Sequence, residues 1–289
     1  MLLYLASLIE NCLDKMNKKI CFVGGGNMAE AMIAGLISKN YDSRLISVVD
    51  RNQDKLSALK DNYDVMTYQS YRSIISDSDV IILAIKPQQM GSLITEIKTY
   101  IKDQLIITVA AGIEVKVYES LFAKQVAFAR VMPNTPASLG YGATGVYFNR
   151  NVSSSQQDVA ESILQTMGIV EVVDDEYKVD IVAACSGSGP AYFFAFMEYL
   201  VSATTKKGLD SEQAKRLVIQ TCLGAAKMAQ ASNQSIATLR QNVTSKKGIT
   251  AEALNVFEKS DLVGIVENAI DVNISKAKEI SRDLRKSFL

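Results

Sequence analysis

The sequence contains no histidine among its 289 residues. Histidine is the base of Ser-His-Asp hydrolases and Cys-His proteases, and it is a frequent zinc ligand. Its absence excludes those enzyme classes and histidine-based metal sites, and we predict no metal site. Any general acid must then be a carboxyl group, a lysine, a tyrosine, a hydroxyl group or water.

The chain also lacks Cys-x-x-Cys pairs, an excess of one charge and a long apolar run. Its cysteines are Cys12, Cys21, Cys185 and Cys222. Their scatter predicts free thiols in a reducing compartment, and hence a cytoplasmic protein. Lys+Arg and Asp+Glu both total 31, without the basic excess of a nucleic-acid-binding protein. The apolar stretch from Ala191 to Ala203 contains Glu198 and is shorter than the ~20 residues of a membrane span. We therefore predict no nucleic-acid or membrane partner.

The length fits two domains, and the residue pattern changes once. In the first part, apolar runs alternate with helical segments at 27–39, 52–60 and 153–167, which predicts an α/β domain with a mostly parallel sheet. The predicted strands are 19–24, 45–50, 79–85, 105–110, 125–131 and 169–173. From Glu176 onward the pattern is helical, with glycine breaks at 187–189, 208 and 248. We predict an extension over 1–15, a dinucleotide-binding domain over 16–175 and a helical domain over 176–289.

The first predicted strand runs into a glycine-rich turn that opens a helix. The turn consists of Gly24, Gly25, Gly26, Asn27 and Met28, and Ala29 completes a GxGxxA pattern. Glycines there allow a tight turn and close backbone approach to a pyrophosphate, and a helix start attracts anions. Asp50 ends the second strand and suits the ribose of NAD, whereas Arg51 suits the 2′-phosphate of NADP. The sequence leaves NAD and NADP open.

Three of the four prolines follow strands of the first domain, together with polar residues. Lys86 and Pro87 end one strand, and Asn134 lies between Pro133 and Pro136 after another. Ligands of open parallel sheets bind at the carboxyl ends of strands, so these polar residues are candidates to face a cofactor. The alternative is that the prolines only stop the strands and Lys86 is solvated.

Five blocks together resemble one family, pyrroline-5-carboxylate reductase. They are FVGGGNMAEAMIAGL (22–36), AIKPQ (84–88), RVMPNTP (130–136), SGSGPAYFF (186–194) and LRQNVTSKKGIT followed by AEAL (239–254). The resemblance covers about residues 18 to 286. It implies a Rossmann domain, an all-α domain that dimerises by interleaving helices, and larger rings of dimers in many members. It also implies reduction of L-1-pyrroline-5-carboxylate to L-proline by NADPH or NADH, the final step of proline biosynthesis.

The resemblance also implies roles for single residues. The turn from Gly24 to Met28 would hold the pyrophosphate, and a loop from Ser245 to Thr250 would hold the substrate near Glu176. The residues implied to line the nicotinamide are Ala84, Lys86, Pro87, Ala111 and Asn134. The sequence departs from the family at Lys247, where a small residue is usual, and at Tyr71, where many members have asparagine.

Thr250 is the best candidate to hydrogen-bond the ring nitrogen of a cyclic imine, with Ser245 beside it in the loop. Backbone N–H groups near Gly248 and Thr250, at the start of a predicted helix over 250–258, suit the substrate carboxylate. Lys246 or Lys247 would add positive charge. Helix capping alone also explains Ser245 and Thr250, and with the family resemblance we favour a dual role.

Two further functions remain open from the sequence. The first is another imine or β-hydroxy-acid reductase, in which Lys206, Lys207 or Lys227 would serve as the acid/base group. The second is an NAD(P)-binding protein without turnover, which the altered loop at Lys247 and Ile249 suggests.

Overall fold

An eight-stranded sheet dominates the first part of the computed structural model, which describes residues 17–288. The strand order is β3-β2-β1-β4-β5-β6-β7-β8, and all neighbouring pairs are parallel except β6 with β7. The strands are β1 Ile20–Val23, β2 Ile46–Val49, β3 Met66–Tyr68, β4 Val80–Leu83, β5 Leu105–Thr108, β6 Ala127–Met132, β7 Gly142–Phe148 and β8 Gly168–Val172. The order reverses between β1 and β4, which is where open α/β sheets bind their ligands.

Helices cover both faces of this sheet, as the apolar strands predict. In β1, Ile20 and Phe22 pack into one hydrophobic core, whereas Cys21 and Val23 pack into the other. The helices of this part are α1 Asn27–Ser38, α2 Gln53–Tyr63, α3 Arg72–Asp77, α4 Met90–Ile97, α5 Val115–Phe122, α6 Ser154–Gln165 and α7 Tyr177–Val182. The predicted α/β architecture with a mostly parallel sheet is confirmed.

The remaining elements are helical, which confirms the all-α prediction for the second part. They are α8 Gly189–Thr205, α9 Ser211–Ala231, α10 Ile236–Asn242, α11 Ile249–Lys259 and α12 Leu262–Phe288. The chain divides into two compact units. Unit 1 comprises the described residues up to Ser188 and those from Asn273 onward, and unit 2 is Gly189–Val272. The domain limits drawn from the sequence stay a prediction, and the extension over 1–15 lies outside the described residues.

The sequence pattern did not indicate β3 and β7. Strand β3 has only three residues, and β7 has the sequence GATGVYF, in which two glycines weaken the strand signal. The glycines fit close neighbours, since a Cβ on Gly145 would lie 2.8 Å from the side chain of Val182. Gly145 in β7 has no side chain to pack, and its small size lets α7 approach the strand closely.

The predicted break at 187–189 is wrong, because the helix continues through those residues. A π-turn over Ala183–Gly187 joins α7 to α8, and Ser188 keeps helical dihedral angles. A Cβ on Gly187 would lie 2.7 Å from the methyl group of Met132, so this glycine allows close packing.

The continuous run Tyr177–Thr205 is, by length and composition alone, the one described helix that could cross a membrane. That is weak support for a membrane span, because a core helix of a soluble protein passes the same test.

Candidate functional site

The turn after β1 has the backbone geometry that only glycine adopts easily. Gly24 has φ +105°, and a Cβ there would lie 2.6 Å from the carbonyl oxygen of Ala84 at the end of β4. Its N–H donates to the carbonyl oxygen of Val49 at 2.8 Å. Gly24 therefore allows β1, β2 and β4 to approach closely where the strand order reverses.

The N-terminus of α1 is open to a ligand. Gly26 is the N-cap of α1 and makes no side-chain cap, so the first N–H groups of the helix, beginning with Asn27 and Met28, are not capped by a side chain. Apart from the adjoining backbone, no residue in 17–288 has an atom within 4 Å of the position that a Cβ on Gly26 would occupy. Free N–H groups, the helix dipole and open space together form an anion site that fits a pyrophosphate.

Asp50 supports this turn from the end of β2. Its carboxylate accepts the N–H of Gly25 at 2.8 Å through Oδ2 and the N–H of Asn52 at 2.9 Å through Oδ1. Both oxygens therefore hold backbone in place. The neighbouring Arg51 is largely exposed, and its Nη2 lies 3.0 Å from Oε1 of Glu96 on α4. Burial raises the pKa of Tyr71, and the positive charge of Arg51 opposes that rise.

The other proposed cofactor residues lie at the carboxyl ends of β4 and β5. The N–H of Ala84 donates to the carbonyl oxygen of Val23 at 2.9 Å. Lys86 is exposed and precedes a 3₁₀ turn that Pro87 begins. Ala111 is exposed and precedes Gly112, which has φ +77°. The parallel topology therefore brings these residues to the same edge of the sheet as the glycine turn.

Asn134 has a structural position after β6. Its Nδ2 donates to the carbonyl oxygen of Ser186 at 3.0 Å, and its Oδ1 accepts the N–H of Ala143 at 2.9 Å. The buried amide thus ties the loop after β6 to both the π-turn and the start of β7. Contact with a cofactor would use the remaining acceptor and donor capacity of the same amide.

A cavity of about 260 Å³ lies at this edge within unit 1. Its wall includes Ala110, Ala111 and Gly112 after β5, together with Met132 at the end of β6. The polar lining residues are Arg130, Asp180, Ser188, Asn273 and Lys276. Nδ2 of Asn273 donates to Oγ of Ser188 at 2.9 Å, so part of this wall is fixed by side-chain bonding.

Glu176 belongs to a buried ionic cluster that the sequence did not indicate. Its Oε1 accepts Nη1 of Arg130 at 3.1 Å and the N–H of Val115 at 2.7 Å. Nη2 of Arg130 donates to Oδ1 of Asp180 at 2.6 Å. Burial raises the pKa of Glu176, while the Val115 N–H and Arg130 oppose that rise. A lone arginine within the apolar run QVAFARV is the one sequence signal of this cluster.

In unit 2, the loop over Ser245–Thr250 leads into α11. The N-cap of α11 is Gly248, whose N–H donates to the carbonyl oxygen of Ser245 at 3.0 Å. A Cβ on Gly248 would collide with Oγ of Ser245. Lys247 has φ +59°, a left-handed conformation that favours glycine. The side chain of Ile249 is 93% exposed, so the loop faces open space within this unit.

The predicted capping role of Ser245 and Thr250 is wrong. The residue at the cap is Gly248, and no side chain makes the cap hydrogen bond. Thr250 lies inside α11, where its hydroxyl group is past the cap position, and Ser245 lies three residues before the cap. The first N–H groups of α11 are therefore open in the same way as those of α1.

The structure also shows the positions of the three lysines considered as acid/base groups and whether a metal site is present in the described residues. Lys206, Lys207 and Lys227 are exposed on unit 2. Within residues 17–288, no group of three or more Cys, Asp or Glu side chains is arranged to hold a metal ion.

Comparison with known proteins gives two family matches. Residues 176–280 match the family described as pyrroline-5-carboxylate reductase dimerisation. Residues 19–112 match the family described as NADP oxidoreductase, coenzyme F420-dependent. The two matches correspond to the helical part and to the part with the glycine turn.

Full-length relatives agree with these matches. A pyrroline-5-carboxylate reductase of Pseudomonas aeruginosa is 37% identical over 267 residues, which are 92% of this chain and 98% of that protein. The structure of a pyrroline-5-carboxylate reductase from Coxiella burnetii has TM-score 0.88 and 40% identity, covering 91% of this chain and 98% of the other. A Plasmodium falciparum pyrroline carboxylate reductase with NADP bound has TM-score 0.81 and 31% identity, covering 92% and 98%. The chain therefore belongs to the pyrroline-5-carboxylate reductase family.

Proposed function

We propose that this chain reduces L-1-pyrroline-5-carboxylate to L-proline with a nicotinamide nucleotide, the final step of proline biosynthesis. The observation that carries the proposal is the family membership over nearly the whole chain. The open glycine turn before α1 and the open start of α11 support it, because the reaction needs one site for a nucleotide and one for a small anion.

The residues present fit a dinucleotide. The uncapped start of α1 and the free space at Gly26 suit a pyrophosphate, held by the turn from Gly24 to Met28. We favour NADPH over NADH, because both oxygens of Asp50 already hold backbone N–H groups and because Arg51 is largely exposed and pairs with Glu96 through Nη2, so that a 2′-phosphate could bind its other N–H groups. The P. falciparum relative, whose structure has NADP bound, supports the same choice.

When bound, the nucleotide supplies a hydride to the C=N carbon of the imine. The chain binds and orients the reactants. The residues proposed for the nicotinamide side are Ala84, Lys86, Pro87, Ala111 and Asn134. Their common position at the carboxyl ends of neighbouring strands supports this role.

The substrate residues are proposed on chemical grounds. N–H groups at the start of α11, near Gly248, would bind the carboxylate, and Lys246 or Lys247 would add positive charge. The hydroxyl group of Thr250 would hydrogen-bond the ring nitrogen, directly or through a water molecule, and so hold an imine that arrives already protonated, with Ser245 beside it. Glu176, whose carboxylate has one oxygen fixed by Val115 and Arg130, is also proposed as a substrate-binding residue.

We also propose a homodimer or a larger homo-oligomer in the cytoplasm. The match to a dimerisation family supports self-association, as do large apolar side chains that unit 2 leaves exposed. Examples are Phe193, Phe194 and Tyr199, each about two-thirds exposed. Cys21, Cys185 and Cys222 are free thiols, which fits a reducing compartment. Light scattering of the purified protein tests the association, because a monomer at micromolar concentration contradicts it.

A spectrophotometric assay at 340 nm tests the reaction. Loss of absorbance with pyrroline-5-carboxylate supports the proposal, and kinetics with NADH and NADPH in parallel test the cofactor preference. Turnover only with other imines or with β-hydroxy acids would support a different reductase. Nucleotide binding without turnover of any imine would support a non-catalytic protein.

Thr250→Ala tests the site itself. We expect a large loss of kcat with little change in NADPH affinity, because Thr250 is proposed to contact the substrate and not the nucleotide. Thr238→Ala is the matched control, because it removes a partly exposed hydroxyl group on α10 that bonds to Oγ of Ser235, and it should leave kcat unchanged. Equal loss of kcat and NADPH affinity, or no loss of either, contradicts the role of Thr250.

A further inference from the structure

Arg130 is the one fully buried charged residue among residues 17–288. It lies on β6, its side chain is 4% exposed, and its Nε has no hydrogen-bond partner in the described chain. A charge removed from water must be compensated by close partners. The role of the buried Arg130 can therefore be inferred from the groups that compensate its charge.

Two carboxylates one helical turn apart hold the guanidinium group. Nη1 lies 3.1 Å from Oε1 of Glu176, and Nη2 lies 2.6 Å from Oδ1 of Asp180. The same Oε1 of Glu176 accepts the N–H of Val115, the first residue of α5. One carboxylate oxygen is thus fixed by donors from two elements, while no described residue donates to the Oε2 of Glu176.

The cluster carries more charge than stability requires. Two carboxylates face one guanidinium group, although apolar residues of similar volume usually stabilise an interior as well as a buried ion pair does. Arg130 and Asp180 also line the cavity beside Ala110, Ala111 and Gly112 at the strand ends. A second cavity is lined by both of them and by Glu176. The cluster therefore lies at the wall of ligand-sized space.

We propose that Arg130, anchored by Asp180, is a positioning residue that fixes Oε1 of Glu176 so that Oε2 is presented to the substrate. This inference rests on the proposed function, because Glu176 is assigned to the substrate there. The bond from Asp180 to Nη2 fixes the orientation of the planar guanidinium group. Nη1 then has one defined direction in which to donate to Oε1 of Glu176. A lysine at position 130 keeps the charge and loses this two-point geometry.

Charged and titratable groups surround Glu176 on several sides. They are Arg130 from β6, Asp180 from α7, Glu114 before α5, Tyr147 from β7, and Lys278 and Arg282 from α12. In Asp180→Asn, Glu176 is the one carboxylate that still pairs with the positive charge of Arg130, and the negative charge of Asp180 no longer acts on it. The pKa of Glu176 should then fall, and if the ionised carboxylate is the form that binds substrate, the fall of kcat/KM on the acid side should move to lower pH.

Asp180→Asn and Arg130→Lys test the proposal in the full-length protein. Asp42→Asn is the matched control, because Asp42 is a carboxylate that is also paired with an arginine, Arg44, is only partly buried and lies distant in sequence from the cluster. We measure kcat and KM for pyrroline-5-carboxylate across pH, NADPH affinity and Tm. Asp180→Asn should raise KM about tenfold, a modest loss for a misoriented group, and should shift the acid limb while NADPH affinity is unchanged.

The outcomes separate the two proposals. Arg130→Lys should recover part of the activity that Arg130→Ala loses, since it retains the charge beside Glu176. Wild-type activity with an unchanged KM and pH profile in Asp180→Asn overturns the positioning role alone. A parallel fall of Tm, NADPH affinity and kcat in Asp180→Asn also overturns it, because that pattern indicates a structural role only. A wild-type protein that does not reduce pyrroline-5-carboxylate overturns the proposed function and this role with it.

Discussion

The carboxylate of Asp50 accepts the backbone N–H of Gly25 at 2.8 Å, which ties the end of β2 to the middle of the glycine turn. Its other oxygen accepts the N–H of Asn52 at 2.9 Å. An acidic residue at this place is usually associated with a ribose hydroxyl group. In this chain the same carboxylate also supports the turn, so its removal affects any nucleotide that the turn holds.

Asp50→Ala should weaken NADH and NADPH binding by similar factors. Loss of a hydrogen bond to a charged group typically reduces stability by about 1.5–3 kcal/mol, and the turn would lose that support. Nucleotide titrations followed by fluorescence, together with urea unfolding, measure both effects. Asp61→Ala, at an exposed acid on α2, is the control. A loss confined to NADH would show that Asp50 acts mainly on the ribose.

Gly24 and Gly26 should respond differently to alanine. Gly24→Ala places a Cβ 2.6 Å from the Ala84 carbonyl oxygen at φ +105°, so we expect a loss of roughly 1–3 kcal/mol and impaired nucleotide binding. Gly26 has φ −84°, and an added Cβ would meet only adjoining backbone within 4 Å among the described residues, so the stability of Gly26→Ala should change by less than about 1 kcal/mol. Its Cβ nevertheless enters the space proposed for the pyrophosphate, and NADPH affinity should fall. Unchanged affinity in Gly26→Ala would place the phosphates elsewhere.

The sequence predicted those features that depend on local pattern. The strands β1, β4 and β5 are apolar on both faces, and the glycine turn lies between a strand and a helix, so both could be predicted without tertiary information. The Arg130 cluster could not, because Glu176 and Asp180 lie 46 and 50 residues away along the chain. Strand β7 was missed because its glycines weaken the strand pattern. The reason for one of them, close contact of Gly145 with Val182, exists only in the folded structure. The cap of α11 was assigned to the hydroxyl side chains of Ser245 and Thr250, whereas the cap residue is Gly248 and no side chain makes the cap hydrogen bond.

Cys21 should make the protein less stable as pH rises above 9. Burial raises the pKa of its thiol from 9.0 to about 12, and a hydrogen bond with Ser78 opposes this only in part. The unfolded chain then releases a proton that the folded chain keeps, so the free energy of unfolding is unaffected below pH 9 and falls above it. The slope approaches about 1.4 kcal/mol per pH unit for one such group. Tyr41, with a pKa raised to about 12, adds to the loss only above pH 10.

Urea unfolding at pH 7, 9 and 10 measures this linkage. Cys21→Ala should be less stable than the wild type at pH 7, because it leaves a cavity, but it should lose less stability between pH 9 and pH 10. Parallel pH dependence in the two proteins would mean that the Cys21 thiol contributes nothing to the alkaline loss.

Glu96 competes with a nucleotide phosphate for Arg51. Oε1 of Glu96 lies 3.0 Å from Nη2 of Arg51, and both side chains are substantially exposed. Glu96→Gln frees the guanidinium group and removes a repulsive charge, so KM for NADPH should fall about two- to fivefold while KM for NADH is unchanged. Arg51→Gln should raise KM for NADPH, and Asp61→Asn is the control. An equal change with both nucleotides would contradict recognition of a 2′-phosphate by Arg51.

Lys247→Gly should stabilise the chain and weaken substrate binding at the same time. Lys247 has φ +59°, which disfavours a residue with a Cβ by about 1–2 kcal/mol. Glycine relieves this cost, although its greater freedom in the unfolded chain offsets about 0.4–1 kcal/mol of the gain. We therefore expect a small rise in Tm. Loss of a positive charge near the start of α11 should raise KM for pyrroline-5-carboxylate about two- to fivefold at low salt.

Lys246→Gly is the matched control for the backbone contribution, because Lys246 is absent from the residues with positive φ. It should lower Tm slightly while removing the same charge. The effect of both variants on KM should diminish in 0.5 M salt, since exposed charges are then screened. A lower Tm in Lys247→Gly would contradict the left-handed conformation of the loop. A KM that changes equally at low and high salt would contradict the electrostatic role, and the loop lysines would then act through shape alone.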